Sequence, residues 1–314
     1  MRRHLMVVFL LLVSSGALFS ASVSRSYQVV HGWPQLPEGF AFGQVSGVAV
    51  DSHNHVFVFH RGDRPIICFE GGTGKMLHYW GDGMFTNAHG LSVDSHDNVW
   101  VTDTRGHQVF KFSHKGELLM RLGEKGVAGV DEKHFNLPTD VVVAPNGEFY
   151  VADGYGNSRV VKFSPEGKFL LTWGKKGEGP GEFNLPHGIA LDAQGRVYVA
   201  DRTNSRIQVF DGNGKFLHQW KSEELGRPWA LEVGRDGYLY VVDGGDVIRP
   251  SRFPYRNRAL KLDLKGNIIE KWGSFGSYDG QFYWAHDIAV AANGDVYIGD
   301  VDLGMRVQKF MRKP

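Results

Sequence analysis

The hydrophobic pattern of this chain is one phrase written six times. Each phrase opens with a short apolar run, for example Gly90 to Val93. A polar turn follows: S-H-D-N at 95–98, P-N-G at 145–147, A-Q-G at 193–195, R-D-G at 235–237 and A-N-G at 292–294. The next run is aromatic and β-branched and in five units ends in aspartate: V-W-V-T-D, F-Y-V-A-D, V-Y-V-A-D, L-Y-V-V-D and V-Y-I-G-D. After a loop comes a third run such as S-R-V-V-K-F. A K-G or N-G turn then leads to a fourth, such as K-F-L-L-T-W-G. Short β-branched and aromatic runs bounded by glycine, asparagine and aspartate predict strands.

Equivalent positions lie 43, 50, 48, 42 and 57 residues apart, the period of a propeller blade. Six units predict an all-β, six-bladed β-propeller. The last unit stops after its third run, Met305 to Phe310, and the missing fourth run resembles Tyr27 to Gly32 at the other end of the chain. The N-terminal strand is therefore expected to complete the last blade and close the ring. No helical periodicity of useful length interrupts the pattern, so residues 25–314 are read as one domain.

Composition adds a compartment. Arg2 and Arg3, the apolar stretch Leu5 to Leu12 and the small residues from Ser14 to Ser24 predict a signal peptide over residues 1–22, cleaved near Ala21 or Ser22. The expected destination is periplasmic or secreted. No stretch of the mature chain is expected to span a membrane. Cys68 is the single cysteine, so an internal disulfide is excluded, and the I-I-C-F context suits a small buried residue. A net charge of +1 removes the footprint of a nucleic-acid binder. A monomer is expected.

The chemistry enters at one slot, just before the first strand of each unit. In chain order it reads Ser46, His89, Thr139, His187, Trp229, His286. The first strand of a propeller blade lines the central channel, so the slots form a ring at one channel end. Histidines in alternate blades then converge on the axis as a triangle. Three imidazoles with an open fourth position are a zinc-type donor set, although imidazole also suits copper, iron and nickel. The second strand returns to the same face and ends at Arg61, Thr104, Gly154, Arg202, Gly244 and Val301, with Tyr155 one residue further on. Arg61 and Arg202 place positive charge there for an anionic substrate, although Arg202 has an aspartate within reach. Tyr155 is a candidate acid or base. Asp287 beside His286 is a candidate ligand for a hard cation such as calcium, or a structural aspartate like Asp140. The recurring Asp103, Asp153, Asp201, Asp243 and Asp300 are expected to cap loop amides. His53, His55, His96, His114 and His218 are expected at the surface.

From about Gly43 to Asp287 these phrases resemble the peptidyl-α-hydroxyglycine α-amidating lyases, the lyase half of the peptidylglycine amidating enzyme, which are six-bladed propellers with NHL-type repeats. G-Q-V-S-G-V-A-V-D with F-H-R-G-D, A-H-G-L-S-V-D, D-G-Y-G-N-S-R, L-P-H-G-I-A-L-D and A-H-D-I-A-V carry the likeness. The resemblance implies zinc on His89, His187 and His286, with Tyr155 as base and Arg61 as its electrostatic partner. It implies a structural calcium on Asp287 and on main-chain oxygens of Val48 and Leu91. It places Arg202 near substrate. The implied reaction splits a small peptidyl- or N-acyl-α-hydroxyglycine into an amide and glyoxylate. Two departures stand out. Trp284 replaces the family's methionine two positions before His286, which makes it a candidate substrate contact. Gly156 replaces a cysteine whose disulfide flanks the tyrosine in animal members. Two other classes fit the residues alone: a lactonase-like metal-dependent hydrolase and a non-catalytic NHL-type binding propeller.

Overall fold

The structure is a computed structural model that describes residues 26–245 and 256–313. The leader expected over residues 1–22 lies outside the described residues. Among those described the regular structure is all strand, β1 to β24, grouped into six four-stranded sheets. The sheets are the blades of a six-bladed propeller; five are simple antiparallel meanders, and the sixth combines three C-terminal strands with the N-terminal one.

Within a blade the burial pattern explains the sequence pattern. The second strand is covered on both faces, and Phe149–Asp153 and Val197–Asp201 are buried throughout. That is why these runs are uniformly apolar. The fourth strand forms the rim and alternates, as Phe169–Trp173 does, between half-buried and exposed. Between blades, aromatic residues fill the wedges. Trp100 packs on Phe149 at 4.6 Å, and Trp33 on Tyr297 at 4.8 Å.

Closure occurs as the pattern requires. Strand β1 (Tyr27–Val29) pairs antiparallel with β24 (Arg306–Arg312), with Tyr27 opposite Arg312 and Val29 opposite Phe310. Tyr27 also stacks on Trp272 of the preceding blade at 4.4 Å. The two chain ends are thereby joined through one sheet.

Six first strands surround the axis: β2 (Gln44–Val50), β6 (Ala88–Val93), β10 (Pro138–Val143), β14 (Pro186–Leu191), β18 (Pro228–Val233) and β22 (Ala285–Val290). The pairing of each with its second strand slips at the slot residue, for example between Pro138 and Asp140 and between Pro186 and Gly188. A bulge there lets the slot residue leave the alternation of the strand. All six blades carry it, so the fold supplies the aim and the sequence supplies the side chain.

Candidate active site

His89, His187 and His286 meet on the axis. Their ring centroids are 4.7 to 5.0 Å apart, and their ligand nitrogens all lie within 4.8 Å of one another. All three are buried. Each Nδ1 donates to a main-chain carbonyl of the next blade: His89 to Thr139 at 2.7 Å, His187 to Trp229 at 2.8 Å and His286 to Ser46 at 2.8 Å. The acceptors are the three slots that lack histidine. A carbonyl only accepts, so Nδ1 carries the proton and the Nε2 lone pair is left free. Gly90 and Gly188 allow the approach, since a Cβ at either would lie 2.6 to 2.7 Å from the carbonyl oxygen of Thr139 or Trp229.

The imidazoles are held neutral. Burial, then the charge of Arg61, lowers the His89 pKa to about 3. Burial, then Arg202, drives His187 well below the usual histidine value, and burial does the same for His286. Three buried, neutral, oriented nitrogens with no carboxylate among them fit a transition-metal ion of the zinc class.

Tyr155 covers this donor set. Its hydroxyl lies 3.2 Å from His89 Nε2 and 3.1 Å from His187 Nε2, and Arg202 Nη1 donates to it at 3.2 Å. The Tyr155 loop is tied down by its main chain. The Tyr155 amide donates to Leu137 O at 3.2 Å and that of Gly156 to Asn136 O at 3.0 Å. A Cβ on Gly156 would stand 2.2 Å from the Asn136 side chain, so no larger residue fits this arrangement.

The two arginines differ. Arg202 does not pair with its neighbour Asp201, which is taken by Arg206 and Asn204. Its guanidinium instead lies 4.0 Å over Trp229 and 5.3 Å over the Tyr155 ring. Arg61 is anchored by Gln44 Oε1 at 2.5 Å and by Ala88 O at 3.0 Å, so its charge stands beside His89 and acts on Tyr155 through space. Trp284 packs edge-on against Trp229 at 4.9 Å. The role of Trp229, which joins Arg202, His187 and Trp284, had no signal in the sequence beyond its place in the slot series.

Further down the axis runs a channel of about 180 Å³ lined by all six first strands. Asp140, Glu232 and Asp287 face it. Asp287 accepts from the Val48 amide at 2.8 Å, Asp140 from the Ile189 amide at 3.0 Å and Glu232 from the Val290 amide at 3.1 Å. Burial raises Asp140 to about 7. Burial, with the charge of Asp140 behind it, raises Glu232 to about 8 and carries Asp287 well above the carboxylate range. Val48 and Leu91 line the same channel. This oxygen-rich, mutually repelling set suits a hard divalent cation. Glu232, three residues past its slot, was invisible as a member until the blades were in register.

The blade-end aspartates cap amides. Asp103 accepts from Thr86 and Asn87, Asp201 from Asn184, and Asp300 from Tyr283 and Trp284. In the first blade His60 replaces the aspartate and accepts from the Gly43 amide through Nδ1 at 3.1 Å.

Comparison with known proteins agrees with this architecture. The NHL repeat model matches residues 85–112, 135–163 and 183–210. The probable peptidyl-alpha-hydroxyglycine alpha-amidating lyase pgal-1 of Caenorhabditis elegans is 38% identical, over 83% of this chain and 80% of that protein. Peptidyl-glycine alpha-amidating monooxygenase B of Xenopus laevis is 37% identical over 85% of this chain, which spans only 34% of its length. This chain thus covers about a third of the amidating monooxygenases it resembles. Among solved structures, a streptogramin B lyase superimposes with a TM-score of 0.63 at 12% identity, over 92% of this chain and 98% of that one, which speaks for the fold alone.

Proposed function

From the premise that the chain belongs to the peptidyl-α-hydroxyglycine α-amidating lyase family, we propose that it cleaves the C–N bond of a peptidyl- or N-acyl-α-hydroxyglycine, releasing an amide and glyoxylate. The observation that carries the reading is the position of Tyr155, with its hydroxyl 3.1 to 3.2 Å from two histidine nitrogens and from Arg202.

His89, His187 and His286 would hold zinc through Nε2. Zinc, when bound, supplies Lewis-acid polarisation of the substrate hydroxyl. Tyr155 takes the hydroxyl proton as the C–N bond breaks and returns it to the departing amide nitrogen, so the reaction needs no water and no oxidant. The electrons of the O–H bond become the carbonyl of glyoxylate, and those of the C–N bond leave with nitrogen. Arg202 binds the substrate carboxylate or the developing charge on the Tyr155 oxygen, and Arg61 adds a fixed positive charge beside His89. Trp284 and Trp229 wall the substrate on one side. Asp287, with main-chain oxygens of Val48 and Leu91, would hold a calcium that stabilises the channel; Asp140 and Glu232 add to its negative charge. Export is part of the same proposal and rests on the N-terminal pattern.

The test is direct. Zinc-loaded protein incubated with α-hydroxyhippurate is expected to release glyoxylate and benzamide in equal amounts. Zinc-loaded protein that leaves the substrate intact would sink the lyase reading.

A further inference from the structure

A second group of donor side chains lies away from the axis, at the opposite end of the first strands from the histidine slots. Asp51 follows β2. Its side chain is fully buried, and Oδ1 is taken by the amides of His53 at 2.8 Å and His55 at 2.7 Å. Its other oxygen, Oδ2, faces two imidazoles: His55 Nδ1 at 2.8 Å and His114 Nε2 at 2.8 Å. The two nitrogens are 3.3 Å apart. His114 comes from the neighbouring blade, so the group bridges blades 1 and 2. Cys68 Sγ approaches from the core, within 4.8 Å of a ring nitrogen of each histidine.

The other five blades show what is unusual here. Each also carries a carboxylate in the turn between its first two strands, and each neutralises it with a lysine or arginine. The pairs are Asp94 with Lys111 at 3.5 Å, Glu148 with Lys162 at 2.9 Å, Asp192 with Arg196 at 2.6 Å, Asp236 with Lys261 at 2.7 Å and Asp295 with Lys309 at 3.1 Å. Four of those lysines sit directly across from an aromatic residue of the second strand: Trp100 opposite Lys111, Tyr150 opposite Lys162, Tyr240 opposite Lys261 and Tyr297 opposite Lys309. In blade 1 the same cross-strand pair is Phe57 opposite Cys68. A thiol therefore stands where four of the other five blades place a lysine; blade 4 has Val209 there and draws its cation, Arg196, from the turn. Among the described residues, Asp51 has only imidazoles as ion-pair partners.

A buried carboxylate that has lost its lysine needs another positive charge. Two imidazoles and a thiol are poor fixed cations and good metal ligands. Two nitrogens on a tetrahedral zinc, each about 2.05 Å from the metal, are about 3.3 Å apart, which matches the separation of His55 Nδ1 and His114 Nε2. The pocket also has an entrance, since the His55 and His114 side chains are 27% and 29% exposed.

We propose that Asp51, His55, His114 and Cys68 form a second transition-metal site, of the zinc class, which clamps blades 1 and 2 and supplies the charge that lysine or arginine supplies in the other blades. All four donors are from the protein, so the site is closed and structural rather than catalytic. It is independent of the axial histidines and of the reaction proposed for them.

The experiment is a cobalt titration of the metal-stripped full chain, followed by absorption and by elemental analysis. Two equivalents are expected. Pairing His55→Ala with His114→Ala removes one, and His187→Ala removes the other. The equivalent that survives His187→Ala is expected to show a thiolate-to-cobalt band in the near ultraviolet, abolished by Cys68→Ser. In the double variant the Asp51 turn keeps its two amide bonds to Oδ1, and Cys68→Ser, which leaves both imidazoles on Asp51, reads the same equivalent through its band should the double variant not fold. Cobalt uptake that is the same in wild type and the His55/His114 variant would overturn the proposal. So would a wild-type chain that saturates at one equivalent and loses it with His187→Ala. A second equivalent without a band dependent on Cys68 would overturn the assignment of that ligand.

Discussion

Two layers of polar side chains occupy the propeller axis, and they are built on opposite principles. In the upper layer three imidazoles are neutral, and each is held by a carbonyl from the next blade. In the lower layer Asp140, Glu232 and Asp287 each accept from a neighbouring amide, yet burial pushes all three pKa values up, and the charge of Asp140 adds to the rise at Glu232 and Asp287. The upper layer is complete as an oriented set of lone pairs before any ion arrives. The lower layer is a set of charges that the fold tolerates only when they are neutralised. A preorganised layer suits catalysis, because no reorganisation is needed at the moment of reaction. A layer that repels itself suits a structural ion, because binding relieves a cost already present in the fold.

The contrast breaks most sharply at the histidines. Replacing His187 by Ala is expected to remove the axial zinc and to lower glyoxylate release by about a thousandfold or more, the several kcal/mol a Lewis acid supplies. Assay and elemental analysis of one preparation check it. Next comes Tyr155→Phe, expected to cost about 10²- to 10⁴-fold in turnover with the zinc content unchanged. Full turnover in that variant would point to hydrolysis by another route. In the lower layer, Asp287→Asn is expected to leave the axial zinc in place and turnover within about threefold. Calcium added to stripped wild-type protein should raise Tm by several degrees, and the variant should lose that response. Loss of zinc together with calcium would show that the layers are not separate.

The smallest effect lies off the axis. His60 is fully buried, and burial lowers its pKa to about 4. The unfolded chain takes up a proton near pH 6.5 while the folded chain refuses it until about 4. Stability from this group is therefore complete above pH 6.5 and falls as pH drops through that window. The loss between pH 7 and 5 is at most roughly 2 kcal/mol. Urea unfolding at the two pH values should show a shallower acid loss for His60→Asn than for wild type.

Most of the architecture was legible because a repeat is self-checking. One blade misread from local pattern is corrected by five others, and the Tyr27 run found its place as the strand missing from the last unit. The histidine triangle was legible for the same reason: equal positions in equal units must converge on the axis. The side-chain partnerships were not. Arg202 has Asp201 as its chain neighbour, but Arg206 and Asn204 occupy that carboxylate, and the guanidinium turns to Trp229 and Tyr155 instead. His55 and His114, expected at the surface, are 59 positions apart and meet on Asp51. Local pattern carries no signal for a contact made between blades.

The sequence by itself determined the blade count, the ring closure and the alternation of histidine with other residues, because each follows from a period along the chain. Only the tertiary structure decided why alternation matters. The slots without histidine offer their carbonyls, one to each imidazole, and so set the tautomer and the direction of every Nε2. A carbonyl belongs to every residue and leaves no mark in a sequence. Its value as an acceptor appears only when a bulge and a glycine bring the preceding blade's imidazole within 2.8 Å.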